Sequence, residues 1–320
     1  MNKTLLSICL LLLSLSASRT QAQNNPPDTV IAGVYINSIH NIDFKQKEFT
    51  VNFWLWLKYK NKDLNFYENL EIPNAKEVTK SFVTTDTSGG KVFMQMKLQC
   101  VMKDSWRIEN FPFDRQKLRI LLENSQFESK SMVFVPDTVG QHYDHRFTLR
   151  GWSIDSCNIT SGPRVYETGF GAEGLATPRT EYSAVRIVLD IKRDAMGLFW
   201  KLFLGMYIAF LIAYVCFYIH ADGMDSRFGL SVGSLFAVIG NKYIIDSSLP
   251  ESTSFTLVDT LHGLTLFFIF SVISSTAYSL KLVKSGKIQK AEKFDKIMAQ
   301  VLLIVYVALN IWFISQAKAS

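Results

Sequence analysis

Few residues of this chain have the types and spacing that catalysis or metal binding requires. His142 and His145 flank Tyr143-Asp144, and imidazole and carboxylate groups are frequent ligands of transition metals. Two histidines in a polar loop are, however, more often simply exposed. The sequence has no phosphate-binding loop and no other ligand cluster of useful spacing. We therefore expect no enzymatic activity and no cofactor.

The most informative polar residues lie in a membrane-length segment, Phe228–Leu249, which is unbroken until Pro250. Its small and polar residues are Gly229, Ser231, Gly233, Ser234, Gly240, Asn241, Lys242, Asp246 and Ser247. Polar groups at membrane depth are costly unless they face a bundle interior or a water-filled cavity. Because the neighbouring segments are much more apolar, this segment is predicted to face water inside an assembly, as the lining of a pore.

Helical spacing places one set of these residues on a single face. The predicted pore-lining residues are Ser226, Gly229, Gly233, Phe236, Gly240, Tyr243 or Ile244, and Ser247. Phe236 is a bulky side chain between glycines, so we expect it to form a hydrophobic gate, with the Tyr243/Ile244 level as a second candidate. The alternative is that Phe236 packs against its own subunit and the gate lies higher.

Charged residues flank the predicted pore face. Asp225 stands just before Ser226, and acidic rings serve cation channels, so Asp225 is predicted to attract cations at the cytoplasmic mouth. An aspartate or serine here could also cap the helix. Lys242 and Asp246 are four residues apart and are expected to pair away from the pore axis.

The chain divides into an exported part and a membrane part. Residues 1–22, with the apolar run Leu5–Leu13, predict a signal peptide. We expect an exported domain at residues 23–194 and a membrane domain at 195–320. Four helices near the roughly 20 residues needed to span a bilayer are expected at about 197–220, 227–249, 257–283 and 296–315. A short basic loop is expected at 284–295.

The exported part has the pattern of an all-β sandwich, with short aromatic and β-branched runs separated by turn residues. The expected strands include Phe49–Tyr59, Val92–Val101, Leu118–Leu122, Phe147–Ile154 and Tyr182–Ile191. Gly162-Pro163 is expected to form a turn, and Gly169–Thr180 a long mobile loop. Cys100 and Cys157 could form a disulfide or remain free thiols.

Lysines between the third and fourth membrane segments predict the topology. They are Lys281, Lys284, Lys287, Lys290, Lys293 and Lys296. Positive loops stay in the cytoplasm. The N-terminal domain and the C-terminus are therefore expected on the extracytoplasmic side. The net charge of +6 is spread widely and does not form a basic stripe for nucleic acid.

The run Phe111-Pro112-Phe113-Asp114, followed by Gln116, resembles the signature loop of the pentameric ligand-gated ion channels, the Cys-loop receptor superfamily. In that family the loop lies at the foot of an exported β-sandwich, before four membrane helices. This chain follows the same order over almost its whole length.

Other positions match the family at consistent offsets. Arg193 resembles the arginine that ends the last strand, Pro250 the proline that closes the second helix, and Arg227 the basic residue that starts it. Tyr59 stands where the family usually has a binding-site tryptophan. The proline of the first helix falls at Gly205, which leaves the bend in that helix open.

Two departures resemble the bacterial branch of the family. The loop cysteines of animal members would fall at Asp104 and Leu118, so that disulfide is absent, and the cytoplasmic loop is short. The resemblance implies a multi-pass protein of a bacterial inner membrane. It also implies a ring of five identical subunits, and an effector that is a small molecule, a proton or a divalent cation.

The resemblance also implies functional roles in the exported domain. Asp114, Pro112, Arg193 and Pro250 are expected to couple the sandwich to the helices, with plain folding contacts as the alternative. The ligand site is expected between subunits, beneath Gly169–Thr180. Its candidate residues are Tyr182, Tyr59 and Phe127. Three aromatic rings could form a cage for an organic cation, or could be strand core, which is favoured for Phe127.

Two functions are compatible with these residues. The first is a ligand-gated ion channel, expected to select cations. The second is a membrane-anchored sensor of the same architecture that does not conduct, but a mere anchor does not require glycines along one face of its second helix. His262, in the third membrane segment, could titrate near neutral pH or form an interhelical hydrogen bond.

Overall fold

The computed structural model describes residues 26–171, 178–220, 223–251 and 253–319, so the expected signal peptide lies outside the described residues. Strands dominate the first part. They are β1 (Asp28–Asp43), β2 (Glu48–Tyr59), β3 (Leu70–Glu71), β4 (Ala75–Asp86), β5 (Val92–Lys103), β6 (Arg115–Asn124), β7 (Met132–Pro136), β8 (Trp152–Tyr166) and β9 (Thr180–Arg193). A one-turn helix, α1 (Phe66–Asn69), precedes β3.

The strands form two sheets. The first has the order β4-β5-β2-β1-β7 and the second the order β3-β6-β9-β8. Neighbouring strands are antiparallel, except that β1 and β7 run parallel. The predicted sandwich is confirmed.

Alternation of side chains explains how the sheets pack. Every second residue of β2, from Phe49 to Tyr59, is buried, while the residues between them point to the other face. β5 alternates in the same way, and its Leu98 lies opposite Phe53 in register. These side chains join buried residues of β6 and β9 in one core between the sheets.

The region around β8 differs from the prediction. Residues 147–151 form a turn that ends at Gly151, whose φ of 77° favours glycine. The strand starts at Trp152 and continues through Gly162-Pro163, the expected turn, where Pro163 pairs with Ser183. Proline is tolerated there because β8 is an edge strand and needs no amide hydrogen bond on its outer side.

Four helices follow the sandwich and are long and apolar enough to cross a membrane. They are α2 (Ala195–Tyr214), α3 (Met224–Asp246), α4 (Leu257–Lys284) and α5 (Ile288–Ala319). α2 is continuous through Gly205, and ends at Tyr214 in a 3₁₀ turn, Val215–Tyr218, rather than continuing to His220.

The start of α5 corrects the predicted cytoplasmic loop. That loop was expected to extend to residue 295, but α5 begins at Ile288 after a tight turn at Gly286, whose φ is 73°. The sequence of this stretch is rich in lysine, which is a good helix former as well as a solvated residue. Asp295, placed in the expected loop, is instead a buried helical residue.

The segment between β5 and β6 connects the two parts of the molecule. Its Ile108 and Phe111 are buried in the core of the helical domain. The backbone amide of Leu257, at the start of α4, donates to the carbonyl of Glu109 at 2.7 Å. In sequence the segment lies between two strands of the sandwich. In the folded structure, however, its apolar side chains pack in the core of the helical domain.

Candidate functional site

α3 has a buried stripe that faces its own subunit. The buried residues are Arg227, Ser231, Ser234, Val238 and Ile245. They are three, four or seven positions apart, as residues on one face of a helix are. Hydroxyl groups on this stripe donate to carbonyls one turn earlier, Ser231 to Arg227 and Ser234 to Leu230, both at 2.8 Å.

The opposite face of α3 carries the predicted pore-lining residues, and each of them is exposed in the single subunit. They are Ser226, Gly229, Gly233, Phe236, Gly240, Tyr243, Ile244 and Ser247. A Cβ atom at any of the three glycines would meet nothing within 4 Å. Phe236 is 67% exposed, so most of its surface is not packed against its own subunit. The face predicted from the sequence is therefore largely uncovered in the single subunit.

Asp225 lies in the first turn of α3 and is exposed. The residue that caps the helix is Gly223, without a side-chain cap hydrogen bond. Asp225 and Ser226 lie inside the helix, so the capping alternative is not what the structure shows. The carboxylate is therefore exposed to solvent beside the N-terminal end of the helix.

A buried ion pair holds the same end of α3 on the side that faces the rest of its own subunit. Arg227 Nη2 lies 2.9 Å from Asp295 Oδ2 of α5, and both residues are buried. Ser279 of α4 donates to the same carboxylate oxygen at 3.0 Å, and Arg227 also donates to the carbonyl of Ile219. Cys216 contacts Ser231 at 3.2 Å. The pair thus joins α3 to α4 and α5, and Arg227 also holds Ile219 in the segment after α2. No feature of the sequence marked Asp295 as the partner of Arg227.

The outer end of α3 is held by more exposed charges. Lys242 lies 2.5 Å from Asp246, the expected partner, and 2.8 Å from Asp259 of α4. Asp259 also forms a capping box with Thr256 at the start of α4. One turn further into α4, His262 Nε2 contacts the side-chain oxygen of Asn241 at 2.9 Å, which is an interhelical hydrogen bond.

The domain junction contains the predicted Asp114–Arg193 pair. Arg193 Nε donates to Asp114 Oδ1 at 2.7 Å and its Nη2 to Oδ2 at 3.1 Å, a bidentate contact in a buried site. Gln116 donates to the same carboxylate at 2.6 Å. Pro112 follows Phe111 through a cis peptide bond, and Pro250 is buried beside Ile108. All four predicted coupling residues therefore lie at the junction.

Tyr182 lies in an aromatic cluster next to the loop between β8 and β9. Its ring is 5.8 Å from Tyr166 and 6.3 Å from Phe170, and those two rings are 5.3 Å apart. The three rings line a cavity of about 310 Å³. The other lining residues are Glu71, Glu123, Asn124 and Ser125.

Electrostatics add a negative component to this cavity. Glu123 accepts from Tyr166 Oη at 2.8 Å and pairs with Arg164 at 3.0 Å. Burial, and then the Glu123 carboxylate, raise the pKa of Tyr166 to about 12, so its hydroxyl stays protonated. Since Arg164 balances Glu123, Glu71 supplies the remaining negative charge. Aromatic faces with excess negative charge suit a cation.

Comparisons with known proteins agree with this architecture. The chain is 20% identical to the gamma-aminobutyric acid receptor subunit gamma-4 of Gallus gallus over 82% of its length, and 22% identical to the proton-gated ion channel of Gloeobacter violaceus over 81%. The matches cover 60% and 75% of those proteins, respectively. No family model matches the sequence.

Both relatives are members of the Cys-loop receptor superfamily, and the chain is similar to them at low identity over most of its length. Its signature-loop positions Asp104 and Leu118 cannot form the loop disulfide of animal members, since neither is a cysteine. Asp104 instead pairs with Arg119 at 2.6 Å. An ion pair thus ties the start of the signature-like loop of this chain to β6.

Two of the ligand-site candidates lie in or against the sandwich core of their own subunit. Tyr59 is 5% exposed, with its ring 5.2 Å from Phe66. It lies on the inward face of β2, which begins at Phe49 and ends at Tyr59. Phe127, for which the core was the favoured alternative, follows β6 and packs against the same core. Neither side chain lines the cavity of Tyr182.

Sequence reasoning missed Tyr166 and Phe170. The available signal was the hairpin that encloses the loop, since Tyr166 pairs with Thr180 and Arg164 with Tyr182 across β8 and β9. An aromatic residue on the arm facing Tyr182 could have been predicted from that register. The predicted strand ended at Ile154 and a turn was expected at Gly162-Pro163, so the part of β8 that carries Tyr166 was not recognised as strand.

The structure also places the two histidines and the two exported cysteines that the sequence analysis named. Within the described residues, no group of three or more His, Cys, Asp or Glu side chains is placed to hold a metal, so His142 and His145 gain no support as ligands. Cys100 and Cys157 are free thiols, and burial raises their pKa to about 12 and about 11.

One segment of α3 matches the letters of a serine-nucleophile motif. Gly229-Leu230-Ser231-Val232-Gly233 has the pattern Gly-x-Ser-x-Gly, but that motif requires an exposed serine on a turn between strand and helix. Here the serine is buried in mid-helix and donates to a backbone carbonyl. The match therefore does not indicate hydrolase chemistry.

Proposed function

We propose that this chain is the subunit of a ligand-gated cation channel that assembles as a homopentamer and has no enzymatic activity. The observation that carries the proposal is the exposed face of α3, where a Cβ added at any of three glycines would meet nothing within 4 Å and Phe236 is 67% exposed in the single subunit. Around a five-fold axis these residues form rings, which leave a wide lumen at the glycines and a constriction at Phe236.

The gate and the selectivity follow from the same face. Five phenylalanine rings would exclude water from a narrow passage and block ions by dewetting. The Tyr243 and Ile244 level, also exposed, is the second constriction. Asp225 supplies a carboxylate ring at the inner mouth, which favours cations. Arg227, the nearest cation on α3, does not oppose it because Asp295 pairs with it away from the pore.

The agonist site is the aromatic cavity of Tyr166, Phe170 and Tyr182. A small organic cation is the ligand class that fits three rings and an unbalanced carboxylate. A neighbouring subunit would complete the site. Protons and divalent cations are further effectors to test, since the related bacterial protein is described as proton-gated.

The proposed orientation places the sandwich outside the cell. Lysines at the end of α4 and the start of α5 lie on the cytoplasmic side by the positive-inside rule. The sandwich, at the other end of the helices, and the end of α5 are then extracytoplasmic. The proposed location is a bacterial inner membrane.

Current recording tests the proposal directly. Purified full-length protein is placed in planar bilayers under a potassium chloride gradient, while pH, calcium and tetramethylammonium are stepped separately. Gated current that reverses near the potassium potential is expected. Reversal near the chloride potential would overturn the cation selectivity. Silence from protein shown to be pentameric would support the non-conducting sensor.

The aromatic cavity has its own test. Tyr182→Ala removes one of three rings and is expected to raise the half-maximal concentration of tetramethylammonium at least about tenfold, by the strength of a desolvated cation–π contact. Tyr182→Phe keeps the ring and is the matched control, expected to stay near the native value. Equal effects of both variants would contradict a cation bound by the ring faces.

A further inference from the structure

The guanidinium of Arg193 contacts aromatic rings through its planar face, in addition to the hydrogen bonds that its edge donates. Its guanidinium carbon lies 4.0 Å from the centre of the Trp152 ring, 4.6 Å from Phe44 and 5.0 Å from Phe111. Each distance is within the range of a cation–π contact. Asp114 meanwhile accepts two hydrogen bonds from the edge of the same group.

These rings belong to different segments of the junction. Phe44 lies in the turn between β1 and β2, Phe111 in the segment between β5 and β6, and Trp152 at the start of β8. Arg193 itself ends β9, two residues before α2 begins. One guanidinium therefore contacts three separate segments of the sandwich close to the start of the first membrane helix.

The rings also contact one another. Phe44 and Trp152 are nearly parallel, with an interplanar angle of 8° and centres 6.0 Å apart, and Phe44 stacks on Trp106 at 5.1 Å. The side chain of Arg193 is 10% exposed and that of Asp114 is 2% exposed. A cation–π contact strengthens when water is excluded, so these rings act where the interaction is strongest.

We infer that Phe44 and Trp152 are positioning residues for coupling, and hold the Arg193 guanidinium by cation–π contacts so that movement of the β1–β2 turn or of β8 reaches α2. The inference rests on the proposed channel function for its gating consequence. It adds to the Asp114–Arg193 pair a second set of contacts that only a planar cation can make together with a bidentate carboxylate. A lysine at position 193 would keep the positive charge, but it could not make the bidentate hydrogen bonds and the face-on ring contacts at the same time.

Fluorinated tryptophans at position 152 test the inference. Each added fluorine weakens the negative face of the indole ring while changing its size little. The full-length protein is made with mono-, di- and trifluorotryptophan at position 152, and separately at position 106. Trp106 is the matched control, because it lies in the same aromatic cluster but one ring removed from Arg193.

Two readouts separate this inference from the channel proposal. The first is the apparent Tm of the protein in lipid nanodiscs, which does not require current. The second is the half-maximal proton or tetramethylammonium concentration for opening in planar bilayers. Graded lowering of Tm with fluorine number at position 152, absent at position 106, is expected. A graded shift reaching about tenfold in the opening concentration is expected with it.

Each alternative outcome is decisive. A flat fluorine series at position 152, in both Tm and opening, would show that Trp152 is only a packing residue and would overturn the inference. A graded Tm series together with unchanged opening of a conducting protein would overturn its coupling part. A silent native protein would instead count against the channel proposal, and the Tm series would still decide whether the cation–π contact exists.

Discussion

The two faces of α3 use polar and small residues in opposite ways. On the buried face, Arg227 and its hydroxyl neighbours join the helix to α5 and to the rest of the bundle. On the exposed face, the glycines have open space around them and most of Phe236 is uncovered in the single subunit. The comparison shows that small and polar residues of one helix can lie on a packed face or on an uncovered one, which composition alone does not separate.

The largest expected effect comes from the anchoring face. Asp295→Asn leaves Arg227 buried without a counter-charge, which is expected to lower the free energy of unfolding by about 3–5 kcal/mol. Chemical denaturation in detergent micelles measures it. Ser279→Ala is the control, because it removes one hydrogen bond from the same carboxylate and should cost about 0.5–1.5 kcal/mol. Equal values for both variants would contradict a buried anchor.

On the lining face, conduction is expected to change instead of stability. Phe236→Ala removes the proposed gate, so bilayers should show leak current without agonist, while the free energy of unfolding stays within about 0.5 kcal/mol of the native value. Val238→Ala, two residues on and fully buried, should show the reverse, with a loss of about 1–3 kcal/mol and no leak. Leak current from Val238→Ala but not from Phe236→Ala would show that the face with Val238, not the face with Phe236, lines the pore.

A smaller change is expected when the proposed selectivity residue of α3 is replaced. Asp225→Asn removes the proposed carboxylate ring, so the reversal potential under a potassium chloride gradient should move from the potassium potential toward zero. Glu292→Gln is the matched control, since it removes an exposed carboxylate at the same end of the bundle but on α5. An unshifted potential in Asp225→Asn would remove this residue from the selectivity ring.

The smallest effect is expected at the outer end of α3. Lys242→Met breaks the contacts to Asp246 and Asp259, whose side chains are 46% and 24% exposed. Such partly solvated pairs contribute little, so the free energy of unfolding should fall by less than about 1 kcal/mol. A loss as large as that of Asp295→Asn would show that both ends of α3 are anchored alike.

Features that depend only on residues close together in the sequence were predictable. The exposed face of α3 follows from helical periodicity, and the sandwich from alternating strands. The family motif located Asp114 and Arg193 at one junction. Partners that are distant in sequence were not predictable, as Arg227 and Asp295 lie 68 positions apart. Tyr59 was misplaced because a motif match gives no information on which side of a strand faces the core.

Cysteine accessibility compares the two faces of α3 most directly. Phe236→Cys and Val238→Cys channels are treated in bilayers with a charged methanethiosulfonate reagent while current is recorded. We expect rapid, irreversible change of the current in Phe236→Cys and none in Val238→Cys, because only the first side chain faces the proposed water-filled lumen. Modification of Val238→Cys with no response of Phe236→Cys would contradict the assignment of the lining face.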